Sequence, residues 1–166
     1  MSSADLWSSL DRRAGLLIDT NLLVLFIVGS VNPNRIERFK RTSQYTRSDY
    51  QLLLSVLDHF EHLYTSAHVM AEVSNLTDLT GRERILARRR LKDMLDILRE
   101  PWMPSVRAAQ SARYESLGLT DASVMALARE HKCAVLTADF DLYLALSRDG
   151  IPVLNFAHVQ QLSWGV

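Results

Sequence analysis

The sequence of 166 residues is expected to form a single domain over residues 1–166, with enough chain for a substantial core. Its apolar fraction of 48% and charged fraction of 23% are those of an ordinary soluble globular protein. Lysine plus arginine and aspartate plus glutamate number 19 each, so the net charge points to no partner. The single cysteine, Cys133, excludes an internal disulfide bond.

The N-terminal stretch fits neither a signal peptide nor a membrane span. Asp5 and Asp11 fall in what would be the basic region of a signal peptide, and Asp19 interrupts its apolar region. A membrane span needs about 20 mostly apolar residues, whereas the run here is shorter and carries Asp19 and Asn21. The sequence therefore predicts a cytoplasmic protein that has no membrane partner.

The first predicted element is a strand at Leu16–Ile18, a short aliphatic run of the kind that is buried on both faces. A helix is predicted from Leu22 to a break at Gly29. Asp19 lies where the strand ends, and a bare carboxylate is costly to bury unless it is paired or binds a metal. Ligands of open parallel sheets bind just beyond the carboxyl ends of the strands. Asp19 is therefore the first candidate site residue.

Residues 35–47 are basic, with aromatic residues interleaved. Arginine suits phosphates and aromatic rings suit unstacked bases, which favours nucleic-acid contacts through Arg35, Arg38 and Arg41. A solvated connector explains the same composition equally well.

Two helices and a strand are predicted next. The first helix begins at Thr46–Asp49, the second strand covers Leu63–Thr65, and Ser66 caps a helix that carries Glu72. Glu72 is a candidate site residue because it lies early in a helix that follows a strand.

Thr80–Glu83 has the capping-box pattern and predicts a long helix ended by Pro101. The first half of this helix is crowded with basic residues, namely Arg82, Arg84, Arg88, Arg89, Arg90 and Lys92. Positive charge near a helix N-terminus opposes the helix dipole. A run of charges is usually a solvated face, but this cost favours a polyanionic partner, with Arg88 and Arg89 as contact residues, more strongly here than at residues 35–47.

The remaining chain continues the alternation of strands and helices. The predicted elements are a strand around residues 105–108, a buried helix opened by Gly118–Asp121, a strand at Ala134–Thr137 and a last strand at Gly150–Phe156. Asp139 and Asp141 follow the carboxyl end of the third of these elements.

Four acids, Asp19, Glu72, Asp121 and Asp139, thus stand at equivalent places and can converge at one edge of a parallel sheet. Carboxylates gathered in this way repel one another unless a divalent cation lies among them. An all-oxygen set favours Mg²⁺ or Mn²⁺ over zinc, and such ions support phosphoryl displacement. The pattern therefore predicts a nuclease, although Asp121 and Asp139 could instead be favourable residues at helix N-termini.

The sequence resembles the PIN-domain ribonucleases through four motifs in the order of that family. They are Leu17–Asn21, Thr65–Ser66 followed by Glu72, Leu119–Ala122 and Leu136–Asp141, within a core from about residue 16 to residue 156. The resemblance implies a three-layer α/β/α fold around a mostly parallel sheet and metal-dependent endonucleolytic cleavage of RNA.

The resemblance also implies roles for individual residues. The catalytic and metal-binding acids would be Asp19, Glu72, Asp121 and Asp139, with Asp141 at a metal position that is acidic in some members and with Asn21 and Thr137 as polar supports. Many bacterial members are toxins held by a small antitoxin protein, so an antitoxin and a homodimer are expected partners besides RNA.

Three other readings fit part of the pattern. Flap-endonuclease relatives share the fold but are much longer chains. Haloacid-dehalogenase-like phosphatases carry a second aspartate two residues after the first, where this chain has Asn21. A PIN-like binding module without catalysis is usually marked by lost acids, and all four positions are filled here.

Overall fold

The computed structural model describes residues 10–163 and contains four parallel strands in the order β2-β1-β3-β4. The strands are Leu16–Ile18 (β1), Leu63–Tyr64 (β2), Ala134–Thr137 (β3) and Val153–Asn155 (β4). The α-helices are Thr20–Val31 (α1), Arg47–His59 (α2), Ala67–Leu76 (α3), Gly81–Leu95 (α4), Ser105–Ala108 (α5), Tyr114–Leu117 (α6), Leu119–His131 (α7), Phe140–Arg148 (α8) and Phe156–Ser163 (α9). A 3-10 helix spans Pro33–Arg38. Helices flank the parallel sheet, which confirms the predicted three-layer α/β/α fold.

Strand β1 lies at the centre of the sheet because its three residues are apolar on both faces. Leu16, Leu17 and Ile18 are fully buried, and the strand pairs with β2 on one side and with β3 on the other. Full burial of an aliphatic side chain contributes about 1.5–3 kcal/mol each. The strand that leads to Asp19 is therefore among the most firmly held parts of the fold.

The strand order places the topological switch point of the sheet between β1 and β3. The connection from β1 leads outward to β2 at one side of the sheet, and the connection from β3 leads outward to β4 at the opposite side. Because parallel crossovers are right-handed, these two connections place their helices on opposite faces of the sheet. The point where the direction reverses lies between β1 and β3, which is where ligands bind in open α/β sheets.

Helix α1 passes through Gly29 instead of ending there, which corrects the predicted break. Its residues are apolar nearly all round, and most of the helix is buried. The ring of Tyr50 on α2 occupies the space beside Gly29, where an added Cβ atom would lie 2.5 Å from Cδ2 of Tyr50. Glycine here permits close packing of α1 against α2.

The long basic helix differs from its prediction at both ends. Thr80 forms no capping hydrogen bond with its side chain. The other half of the capping box is missing because the Glu83 carboxylate pairs with Arg35 at 2.7 Å and accepts a hydrogen bond from Asn32. Helix α4 ends at Leu95, before Pro101. The chain after it runs beside β2, where the Arg99 N–H donates to the carbonyl of Leu63 and the carbonyl of Arg99 accepts from Thr65.

Two further strand predictions are corrected in the second half of the chain. Residues 105–108 form the short helix α5, whose Val106 is 70% exposed and only Ala108 is buried, so the segment has no apolar face to bury in a sheet. The last strand is shorter than predicted, because Phe156 already begins α9. None of the helices between residues 10 and 163 combines the length and the apolar character that crossing a bilayer requires.

Candidate active site

Asp19 lies at the switch point, where it follows β1, donates its backbone N–H to the carbonyl of Leu136 of β3 and forms the N-cap of α1, with only 3% of its surface exposed. Its Oδ1 accepts a hydrogen bond from the Thr20 N–H at 2.6 Å, and its Oδ2 accepts one from the Thr137 hydroxyl at 2.7 Å. The carboxylate is therefore held at both oxygens by donors from the ends of the two central strands.

Burial is the main cause that raises the pKa of Asp19 from 3.8 to about 6, and the charges of Asp139 and Glu72 contribute in the same direction. The hydrogen bonds from Thr137 and Thr20 act in the opposite direction, since they favour the ionised carboxylate. Asp19 is thus a buried acid whose ionised form needs a positive partner.

Thr137 connects the acids of β1 and β3. It is fully buried at the end of β3, and its hydroxyl donates to Asp19 while accepting from the Asp139 N–H at 2.9 Å. Thr137 thus links the carboxylate of Asp19 to the backbone of Asp139, and its role as a polar support of a metal site stays a prediction.

Glu72 reaches the same place from α3, where its Oε2 accepts a hydrogen bond from the Thr20 hydroxyl at 2.8 Å. The helix begins where Ser66 accepts from the Val69 N–H, as predicted. The hydroxyls of Ser66 and Ser123 lie 2.9 Å apart, which joins the start of α3 to α7. This contact brings the helix that carries Glu72 beside the helix that carries Asp121.

Asp121 is the third residue of α7 and not its first, and it is not an N-cap. Among the described residues no side chain caps the N-terminus of this helix. Burial raises the pKa of Asp121 to about 7, with further contributions from the charges of Asp19, Asp139 and Glu72. The four predicted acids therefore lie close enough to act on one another.

Asp139 is both a helix cap and a member of this acidic group. Its Oδ1 accepts hydrogen bonds from the N–H groups of Asp141 and Leu142, at 2.8 and 3.0 Å, and so caps α8. Within residues 10–163, its Oδ2 receives no hydrogen bond. A cap at one oxygen is compatible with a ligand at the other.

Asp141 and Asn21 lie at the rim of this site. Both residues are exposed, and neither side chain forms a hydrogen bond with another described residue. Asp141 meets the acidic group only through its backbone N–H. Their predicted roles, as a metal ligand and a polar support, stay predictions.

Within residues 10–163, no three histidine, cysteine, aspartate or glutamate side chains are close enough to form a ready-made metal cluster. The donor set nevertheless fits a hard divalent cation, because it consists of carboxylate and hydroxyl oxygens without a soft ligand. The raised pKa values of Asp19 and Asp121 also fit a bound cation. A positive ion between the acids would offset the cost of burying their charges and the repulsion between them.

The five predicted RNA-binding arginines differ in their surroundings. Arg35 is paired with Glu83, so its charge is partly offset. Arg38 and Arg41 are exposed, and Arg38 lines a cavity of about 480 Å³ together with Arg47. Arg88 and Arg89 are exposed on α4, and only Arg88 lines a second cavity, of about 230 Å³.

Sequence reasoning gave no role to two hydroxyl residues that organise the site. Thr20 binds Glu72, and Ser123 joins α7 to the start of α3. Thr20 directly follows the strand-end aspartate, and Ser123 lies two residues after Asp121. A hydroxyl beside a candidate acid is therefore the signal that would have pointed to them.

Comparison with known proteins agrees with this geometry. The sequence model of the PIN domain matches residues 16–145, a range that contains all four acids and more than half of the chain. A search among curated proteins finds no match. PIN domains are typically nucleases and generally use divalent metal ions. The chain belongs to the PIN-domain family.

Proposed function

We propose that this protein is a Mg²⁺- or Mn²⁺-dependent endoribonuclease that hydrolyses phosphodiester bonds of RNA. The observation that carries the proposal is the group of four acids at one edge of the sheet, with pKa values of about 6 for Asp19 and about 7 for Asp121. Asp19 is buried and the other three acids are partly buried. Ionised acids in such surroundings cost free energy, which a divalent cation relieves.

Asp19, Glu72, Asp121 and Asp139 would hold the cation. When bound, the ion lowers the pKa of a water molecule and stabilises the charge that develops in an in-line displacement at phosphorus. Thr137 keeps the carboxylate of Asp19 in place and ties it to the backbone of Asp139. This chemistry needs no nucleophile from the protein.

The cavity at Arg88 supports a path for the RNA backbone along α3. Arg84 and Arg88 line this cavity, and Asn75 of α3 lines it as well. Asn75 lies three residues after Glu72 and therefore on the same face of the helix. If the scissile phosphate of an RNA strand lies at the acids, the neighbouring phosphates of that RNA would pass Asn75 and reach these arginines. Arginine side chains suit phosphate recognition.

A toxin role with a small antitoxin, a homodimer and a single domain over residues 1–166 stay predictions. An adjacent reading frame that encodes a small protein with a DNA-binding N-terminus would support the toxin role, and co-purification of that protein would test the pair. The alternative is a non-catalytic PIN-like module that binds RNA or protein, and the presence of all four acids favours the nuclease over it.

The test is incubation of the purified protein with total RNA in Mg²⁺ or Mn²⁺, with EDTA as control, followed by mapping of the new RNA ends. We expect cleavage that requires the cation and that Asp19→Asn abolishes. The matched control is Asp58→Asn, which removes the same charge from an exposed position on α2 and should cleave like the wild type. Cutting that survives both EDTA and Asp19→Asn would contradict the proposed mechanism.

A further inference from the structure

Tyr45 belongs to the basic and aromatic segment between α1 and α2, yet it lies in the core beside the acidic site. Its ring packs edge-on against Phe156, with 6.2 Å between ring centroids and 70° between ring planes. Phe156 follows Asn155, the last residue of β4, which pairs with Thr137 in the sheet. Tyr45 is therefore held at the same sheet edge as the acids, and it is not available to stack on a base.

The hydroxyl of Tyr45 is buried without a hydrogen-bond partner among residues 10–163, and the whole residue is only 4% exposed. A buried hydroxyl without a partner is costly, and its presence in a folded protein calls for a reason. The side chain of Gln44 approaches it without making a hydrogen bond of normal geometry. The hydroxyl therefore has a hydrogen to donate and no acceptor bound to it among residues 10–163.

The charges of two carboxylates, Asp19 and Asp49, act on this hydroxyl. Burial is the main cause that raises the pKa of Tyr45 to about 12, and the charges of Asp19 and Asp49 act in the same direction. Both effects keep the hydroxyl protonated at neutral pH, so that it acts as a donor and not as an acceptor.

Asp49 already has its donors. Its Oδ2 accepts from the backbone N–H and the hydroxyl of Thr46, at 2.7 and 2.9 Å, and its Oδ1 accepts from the side-chain amide of Gln160 at 2.6 Å. Asp19 accepts one hydrogen bond at each oxygen. Since a carboxylate oxygen can accept two, Asp19 has the larger remaining capacity.

We propose that Tyr45 is a positioning residue of the acidic site, whose hydroxyl donates to Asp19, directly or through one water molecule, when the site holds its cation. The inference rests on the proposed function and extends it to a residue outside the four acids. Tyr45 fixes the orientation of the carboxylate that must bind the metal, in the way that outer-shell donors orient metal ligands elsewhere.

Tyr45→Phe tests the proposal because it removes the hydroxyl and keeps the ring that packs on Phe156. The matched control is Tyr50→Phe on α2, a buried tyrosine whose ring packs instead beside Phe26 and Gly29. Affinity for Mn²⁺ alone is measured by electron paramagnetic resonance, and the shift in melting temperature on adding Mn²⁺ is measured in parallel.

We expect Tyr45→Phe to weaken Mn²⁺ binding by about 10- to 100-fold, the usual effect of losing an outer-shell partner, and to reduce the melting shift. Tyr50→Phe should bind Mn²⁺ like the wild type. In EDTA, Tyr45→Phe should melt at or above the wild-type temperature, because the hydroxyl it removes has no partner in the metal-free protein.

A Tyr45→Phe protein that binds Mn²⁺ as tightly as the wild type would overturn this proposal alone and leave the proposed nuclease intact. A large fall of its melting temperature in EDTA would also overturn it, since the hydroxyl would then serve the fold. A wild-type protein that neither binds Mn²⁺ nor cleaves RNA would overturn the proposed function together with this inference.

Discussion

Replacing Asp121 by asparagine should stabilise the metal-free protein at neutral pH. Burial and three neighbouring acids raise the pKa of Asp121 from its ordinary 3.8 to about 7. Below pH 4 the residue is neutral in both the folded and the unfolded states and carries no penalty. As the pH rises from about 4 to about 7, the unfolded state loses the proton while the folded state still binds it, so the free energy of unfolding falls over this window.

The size of the effect follows from this shift. A difference of about three pKa units corresponds to about 4 kcal/mol at 1.36 kcal/mol per unit. Asparagine removes the charge but still buries a polar group. We therefore expect Asp121→Asn to recover about 1–2 kcal/mol of the free energy of unfolding that the charge costs. In a domain of this size, that gain raises the melting temperature by about 3–6 °C.

The assay is thermal unfolding in EDTA at pH 7.5 and at pH 5, with Asp58→Asn as the exposed control. The stability gained by Asp121→Asn should shrink by about half or more at pH 5, because the Asp121 carboxyl of the folded wild type is already protonated there. The control should stay within about 0.5 kcal/mol of the wild type. A variant that melts at or below the wild type at pH 7.5, or that gains equally at both pH values, would refute the reasoning.

A cation should reverse the order of stabilities. Mg²⁺ or Mn²⁺ at a hundred times its dissociation constant stabilises the wild type by about 2.7 kcal/mol through linkage. Asp121→Asn should respond less, because it has lost one of the charges that attract the ion. An equal metal-induced shift in both proteins would place the cation away from Asp121.

Two further predictions concern RNA binding and the support of the acids. Arg88→Ala should weaken RNA binding and reduce the slope of log affinity against log salt by somewhat under one unit. Arg89→Ala, its neighbour outside the cavity, should change the slope less, and equal effects would contradict the path along α3. Thr137→Val should cost about 1–3 kcal/mol of stability, because the Asp139 N–H loses its acceptor and Asp19 loses a donor, whereas Thr137→Ser should keep most of it. Thermal melts of both variants decide this, and a fully stable Thr137→Val would show that the hydroxyl is dispensable.

The sequence alone determined the elements whose signals are local. The aliphatic run of β1 and the strand at Ala134–Thr137 lie where they were predicted, because a strand buried on both faces must be apolar throughout. The starts of α2 and α3 could also be predicted from the sequence. Thr46 and Ser66 each accept a hydrogen bond from the backbone N–H three residues later, which is a local interaction. The order of the acids along the chain, at the ends of such elements, was enough to predict one shared edge.

The tertiary structure decided whatever depends on partners distant in sequence. Glu83 serves Arg35 and not the cap of its own helix, and Arg99 leaves the helical pattern to run beside β2. Tyr45 lies in a stretch whose composition suggested a solvated or nucleic-acid-binding surface, yet its ring is buried against Phe156.

Each of these outcomes turns on contacts across tens of residues or more, and the free energy of such contacts exceeds the small local preferences that a sequence pattern expresses. The sequence could therefore nominate the acids and Thr137, while the contacts of Thr20, Ser123 and Tyr45 could be identified only in the folded protein.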